Sequence, residues 1–287
     1  STRVRSSAAS DVYKRQVLVW CINRKVMTGL IYNEINKVED TKVKTVSEYR
    51  FLERFGEVGE YMRLELKMLL RNKRCKASLR SVAMLVIIFS IILSFSSTYD
   101  HMKSFVQVYS FLGFGMVILI QLMGFEGNYI DGLMTRKESI KSLLTAKYYI
   151  YSLAEIIPLI LLIPAFVMGK ASLLGAVALI FLTTGPVYCI LFQLAVYNHK
   201  TVPLNESITG KQSMNTGMQM LISFGLFIVP TTLYGTLPML LGQTWAYIVI
   251  LIIGLGFTLT SPMWINNVYV RFMQRRYENM EGFRDSK

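Results

Sequence analysis

Ionisable residues spaced for chemistry gather in three places along these 287 residues. The first is a basic stripe. Arg63, Lys67, Arg71 and Arg74 recur at three- and four-residue steps and so share one side of a helix. Val58, Tyr61, Met62, Leu66, Leu69 and Leu70 make an apolar face on the same stretch. Such a helix can lie in a membrane surface, its cations on anionic lipid or an acidic partner; a plain juxtamembrane anchor has the same pattern. The second place is GFEGNYIDGLMTRKESIKSLLTAK, residues 124–147. Here Glu126 lies just inside an apolar run, Gly132 permits a turn, and Thr135 with Glu138 has capping-box spacing. A helix from there would carry Ile140, Leu143, Leu144 and Tyr148 on one side, with Arg136, Lys137, Lys141 and Lys147 polar and Ser139 and Leu143 as contact points. That suits a soluble partner, or a re-entry helix that only stabilises the connection. The third place lies within apolar runs: Glu155, with Thr183, Thr184, Gln193, Thr258, Thr260 and Ser261 as polar company. A carboxylate at that depth is costly, so it faces a polar partner inside a bundle, with Lys147 or a cation from another helix as candidates. Substrate coupling and a structural hydrogen bond both fit it.

What is missing narrows the chemistry. The chain has no GxxxxGK[ST] phosphate loop, no HExxH and no GxSxG. His101 and His199 fall on opposite sides of the topology derived below. Cys21, Cys75 and Cys189 stand far apart, without a CxxC. The expectation is therefore a chain that is not an enzyme, with no catalytic residue, metal or cofactor of its own. Its net charge of +13 flanks apolar runs instead of interleaving with stacking aromatics, which argues against nucleic acid.

The elements that position these residues are membrane helices. Hydrophobic residues make up 53% of the chain and mean hydropathy is +0.41. Uninterrupted apolar runs at 79–97, 105–125, 150–168, 173–197, 218–241 and 245–264 are each near the roughly 20 residues that cross a bilayer. Continuous runs, not alternating ones, argue against a β-barrel. The reading is all-α: a polytopic bundle of about six transmembrane helices preceded by an amphipathic interfacial helix. Arginine and lysine crowd alternate loops, while Lys103 and Lys170 alone mark the others. The positive-inside rule puts the amphipathic helix, the 126–147 segment and the C-terminus in the cytoplasm, across a bacterial inner membrane. Prolines in or beside the spans, such as Pro158, Pro164, Pro186, Pro230 and Pro238, fit helices broken along a path. Gly113, Gly115, Gly254 and Gly256 fit close helix packing.

Domain boundaries follow from these shifts. Residues 1–16 lack apolar periodicity and read as a non-native leader. Residues 17–46 read as the end of a truncated span plus a cytoplasmic linker. Then come the interfacial helix at 47–78, the transmembrane domain at 79–269 and a cytoplasmic tail at 270–287. On this reading the chain is the C-terminal part of a longer protein.

The amphipathic helix at 57–70, the LLRNKR run at 69–74, six spans and the loop after the second together resemble the membrane subunits of ABC-2-type exporters. The C-terminal VRFMQRRYENMEGFR at 270–284 resembles a poorly characterised bacterial group of such permeases. In that family the loop carries an acid, a Gly/Leu pair, a docking helix and a lysine; Glu126, Gly132, Leu133 and Lys147 match those places. The resemblance implies export of a hydrophobic or amphipathic substrate, driven by ATP and magnesium on a separate cytoplasmic ATPase subunit. That subunit would contact 131–147, and an N-terminal half or a second permease copy would complete the path. The short turn at 242–244 departs from the family, which often carries re-entrant helices there. A membrane scaffold or assembly protein, and a proton-coupled carrier relaying through Glu155, are the competing readings.

Overall fold

The computed structural model describes residues 16, 19, 20, 23–25, 27, 28, 50–95, 102–135, 137–198, 200–202 and 217–286. The chain divides into Ser1–Glu48 and Tyr49–Lys287. In the first unit the described residues are helical and exposed, with the Arg24 guanidinium 5.2 Å above the Trp20 ring. The leader expected at 1–16 and the linker at 17–46 otherwise lie outside the described residues.

The second unit opens with a 3-10 turn, Arg50–Phe55, that folds back on helix α1, Gly56–Arg71. A Cβ at Gly59 would collide with the Leu52 carbonyl, so only glycine lets the turn sit there. The helix buries Gly59, Met62, Glu65 and Leu69, one side at helical spacing. Asn72 (ψ 131°) breaks it, and α2, Lys73–Phe95, follows at once. The first apolar helix thus starts six residues earlier than position 79, where hydropathy alone set it. Val82, Val86, Ser90 and Leu93 are its buried stripe, while Met84, Leu85, Ile87, Ile88 and Ile91 are exposed. A helix apolar all round faces lipid or another chain.

Helix α3, Lys103–Leu119, is 17 residues long and stops short of the expected end at 125. Residues 120–125 turn irregularly through Met123, at φ 66°. Freed carbonyls there are taken up by distant groups. Asn198 Nδ2 donates to Leu122 O at 2.9 Å, Gln219 Nε2 to Ile120 O at 3.2 Å, and the Val202 amide to Gly124 O at 2.8 Å. Non-helical backbone at membrane depth needs such internal partners. A 3-10 turn, Glu126–Tyr129, and α4, Ile130–Met134, complete the elbow.

Next comes α5, Lys137–Ala154, an unbroken helix. The docking helix and the third span expected as separate pieces are therefore one rod: the apolar stretch runs from Ser139 to Leu161. No Gly or Pro interrupts 137–154, so nothing in the chain breaks the ladder there. It does break at Glu155 and Leu162, giving α6, Ile156–Leu161, and α7, Ile163–Val167, because Pro158 and Pro164 cannot donate. Ser172 caps α8, Leu173–Leu182, through the Gly175 amide. A π turn, Thr183–Val187, holding Pro186, joins it to α9, Tyr188–Tyr197. Helix α10, Gly217–Leu241, follows, then α11, Gln243–Leu259, and α12, Ser261–Gln274, bent by 53° at Thr260. Helix α13, Arg276–Asp285, is last.

The described residues contain no strand, and the fold is all-α. Among the described residues four helical stretches are long and apolar enough to cross a membrane, and the bent α11–α12 pair would be a fifth. Helix α11 touches α8 and the following π turn backbone to backbone, since a Cβ at Gly254 would strike Phe181 and one at Gly185 would strike the Gly254 carbonyl; Gly115 likewise makes room for the Tyr188 hydroxyl. Gly256 has open space beside it, so the packing role expected for it is not seen.

Candidate functional site

Three ionisable side chains from three elements meet in the interior. Glu65 comes from α1, Glu126 from the elbow after α3, and Lys147 from α5; they are 2%, 0% and 1% exposed. Lys147 Nζ lies 2.7 Å from Glu65 Oε1 and 2.8 Å from Glu126 Oε1. Tyr151, one turn beyond Lys147, donates its hydroxyl to the same Glu65 oxygen at 2.7 Å. The Glu126 contact is an ion pair that closes the cluster from the elbow side. Burial raises the Glu65 carboxyl above its ordinary value of 4.5; Lys147 pulls it down and Glu126 pushes it up further. Two acids share one base.

This arrangement fixes geometry. A buried ion pair gains little net stability over apolar packing, yet removing one member strands the others. It therefore holds α1, the elbow and α5 in one register. Ser142 Oγ adds a bond between α5 and α1, to Glu57 Oε2 at 3.1 Å.

The residues expected to meet a soluble partner divide in two. Asp131 and Lys141 are exposed, and Asp131 pairs with Arg284 of α13 at 2.9 Å. Ser139, Ile140, Leu143, Leu144 and Lys147 are buried in this chain's own interior, so the apolar face foreseen for a partner's groove is already occupied. Arg136 lies outside the described residues, as does the Lys137 side chain. The Thr135 hydroxyl donates back to Gly132 O at 2.7 Å, and the Glu138 side chain of the expected capping box lies outside the described residues. The basic stripe is uneven as well. Arg63 reaches toward Glu53 at 3.6 Å, Lys67 is half-buried, Arg71 is exposed, and Arg74 turns inward.

The polar residues expected within the apolar layer have partners on several elements. Glu155 accepts from the Tyr188 hydroxyl at 2.6 Å; Lys147, a partner expected for it, is held by the other two acids. Thr184 and Thr258 approach at 3.5 Å, and each hydroxyl bonds its own helix backbone. Thr260 does the same to Gly256 O. Thr183 is buried and Ser261 half-buried. Gln193 accepts from Arg271 at 2.7 Å, and Arg271 also donates to the Tyr197 hydroxyl and lies over that ring.

Sequence reasoning missed Glu65, Tyr151 and Tyr188. Glu65 had a signal: an acid between Met62 and Leu69 on the apolar side of an amphipathic helix. The two tyrosines had none. Among the described residues no group of three His, Cys, Asp or Glu could hold a metal.

No curated protein and no solved structure matches the chain. A family of unknown function, DUF5687, matches over residues 12–286, which takes in the last residues of the expected leader. With that match running through α1, the elbow, every apolar helix and α13, the chain belongs to the DUF5687 family.

Proposed function

We propose that the chain is the permease subunit of an ABC-type exporter in a bacterial inner membrane. It would move a hydrophobic or amphipathic substrate with energy from a separate cytoplasmic ATPase subunit, which holds the ATP and magnesium. Its C-terminus is cytoplasmic in this reading, and an N-terminal half or a second copy completes the path.

The observation that carries the reading is the buried Glu65–Lys147–Glu126 cluster. It couples a surface helix, an elbow and a rod that continues into the apolar layer. A partner pressing on the exposed ends of the elbow and of α5, at Asp131 and Lys141, would move all three as a unit. Coupling of that kind is what a transporter driven by an outside motor requires. A proton-coupled carrier is the second reading, favoured by Glu155, which is fully buried with Oε2 lacking a hydrogen-bond partner.

Photo-crosslinkers at Thr135 and Lys141, both exposed, should capture a Walker-type ATPase in native membranes. Charge reversal at Lys137 and Lys141 should weaken that capture and spare membrane insertion. Capture of lipid alone sinks the reading, and substrate efflux abolished by a protonophore at constant ATP moves the assignment to the second one.

A further inference from the structure

The last helix, α13, lies against the 3-10 turn Glu126–Tyr129 and α4. Asn279 and Phe283 are its buried residues, one turn apart on one side. Phe283 meets the elbow at Gly127, where a Cβ would come within 2.7 Å of its ring. That Cβ would also come within 2.6 Å of the Thr201 methyl, so the elbow, residues 200–202 and α13 converge on one glycine. Arg284 pairs with Asp131 at 2.9 Å. Just past the helix, Ser286 Oγ accepts from the Thr201 amide at 2.9 Å, and the Ser286 carbonyl accepts from the Thr201 hydroxyl at 2.8 Å.

That seat is weak. Among the described residues neither amide atom of Asn279 has a hydrogen-bond partner, although the side chain is fully buried; an unmet buried amide favours leaving. The Arg284–Asp131 pair is exposed on both sides, so water and salt screen it. A helix of ten residues is too short to hold its shape alone, since about 12–15 are needed. Phe283 is therefore the main anchor. A joint stands at the other end, where Arg275, at φ −98° and ψ 17°, separates α13 from α12. On the far side of that joint α12 is held by Ile265, Val268 and Phe272, all buried.

We infer that α13 is a detachable strap that hinges at Arg275 and closes over the elbow. Seated, it packs on the turn that carries Glu126 and so backs the Glu126–Lys147 contact. Lifted, it bares Gly127 and Asp131 to a partner that offers an apolar side chain to the one and a cation to the other. The strap and that partner exclude each other, which makes the contact autoinhibitory; only this exclusion rests on the proposed ATPase subunit.

Hydrogen exchange on the full chain in nanodiscs tests the strap. Phe283→Ala should speed exchange across 276–285 at least about tenfold. Asn279→Leu removes the unmet amide and should slow it about tenfold. Exchange in 261–274 should stay as in wild type in both variants. Exchange unchanged in Phe283→Ala, or rising in 261–274 along with 276–285, overturns the inference, as does faster exchange of 276–285 in Asn279→Leu. The Thr201 and Ser286 hydroxyls are 3.0 Å apart, so Thr201→Cys with Ser286→Cys on a cysteine-free background can lock the strap by a disulfide. Oxidation should cut ATPase capture from a photo-crosslinker at Thr135 about tenfold, and reduction should restore it. Capture indifferent to the lock overturns the autoinhibition. Capture absent from every variant, with exchange as expected, removes the ATPase subunit and leaves the strap in place.

Discussion

Replacing Lys147 by methionine would leave Glu65 and Glu126 buried without their shared cation. Losing one partner of a buried ion pair costs about 3–5 kcal/mol, so Lys147→Met should lower the unfolding midpoint of the detergent-solubilised protein sharply. Adding Glu65→Gln and Glu126→Gln should recover most of the loss, because uncharged groups of similar shape carry a far smaller desolvation penalty. Glu65 also gives a pH signature. Its folded carboxyl is raised above 4.5, chiefly by burial, so the folded state holds that proton more tightly than the unfolded chain. The stabilisation is complete below pH 4.5 and fades as pH climbs toward the folded value. The stability of Glu65→Gln relative to wild type should therefore improve from pH 4.5 upward. Thermal unfolding of both at pH 4.5 and 7.5 measures it, and a flat difference would show that Glu65 keeps its ordinary affinity for a proton. In the sequence, Glu126 and Lys147 were singled out by their places in the loop and by resemblance, though not as a pair. Glu65 escaped because a periodicity count gathers the apolar residues of a face and passes over the acid among them, although that acid is the anomaly.

At the scale of elements, the apolar runs were readable and their breaks were not. Hydropathy cannot see that α3 ends at Leu119, since Ile120, Leu122, Met123 and Phe125 are as apolar as what precedes them. What stabilises the break is remote: side-chain amides from Asn198 and Gln219. Asn198→Leu should strand the Leu122 carbonyl and cost about 1–3 kcal/mol, with faster hydrogen exchange at Val202, whose amide bonds the same elbow. Exchange left as slow as in wild type would mean that the turn holds by itself. The continuity of α5 was obscured for the opposite reason. Four basic positions between 136 and 147 suggest water, yet Lys147 is neutralised inside the protein, so the rod can carry it toward the apolar layer.

For the whole molecule, helical class and membrane-type composition were legible, because both rest on sums over long stretches. The orientation proposed from basic asymmetry is open to direct measurement. Cysteines placed at Lys170 and Asp285 on a cysteine-free background should differ, with Lys170→Cys labelled from outside intact cells and Asp285→Cys protected. Equal labelling rejects that orientation. The ion cluster also sets a timetable. Glu65 and Lys147 are 82 positions apart, and a ribosome adding about 5–20 residues per second needs roughly 4–16 s to cover that distance. Throughout that interval the acid has been made and its cation has not. An unpaired carboxylate is kept out of hydrocarbon, so on the proposed topology α1 waits in water while α2 and α3 are inserted ahead of it. The emergence of Lys147 then ends the delay, and the early half of the chain can close only when the later half arrives.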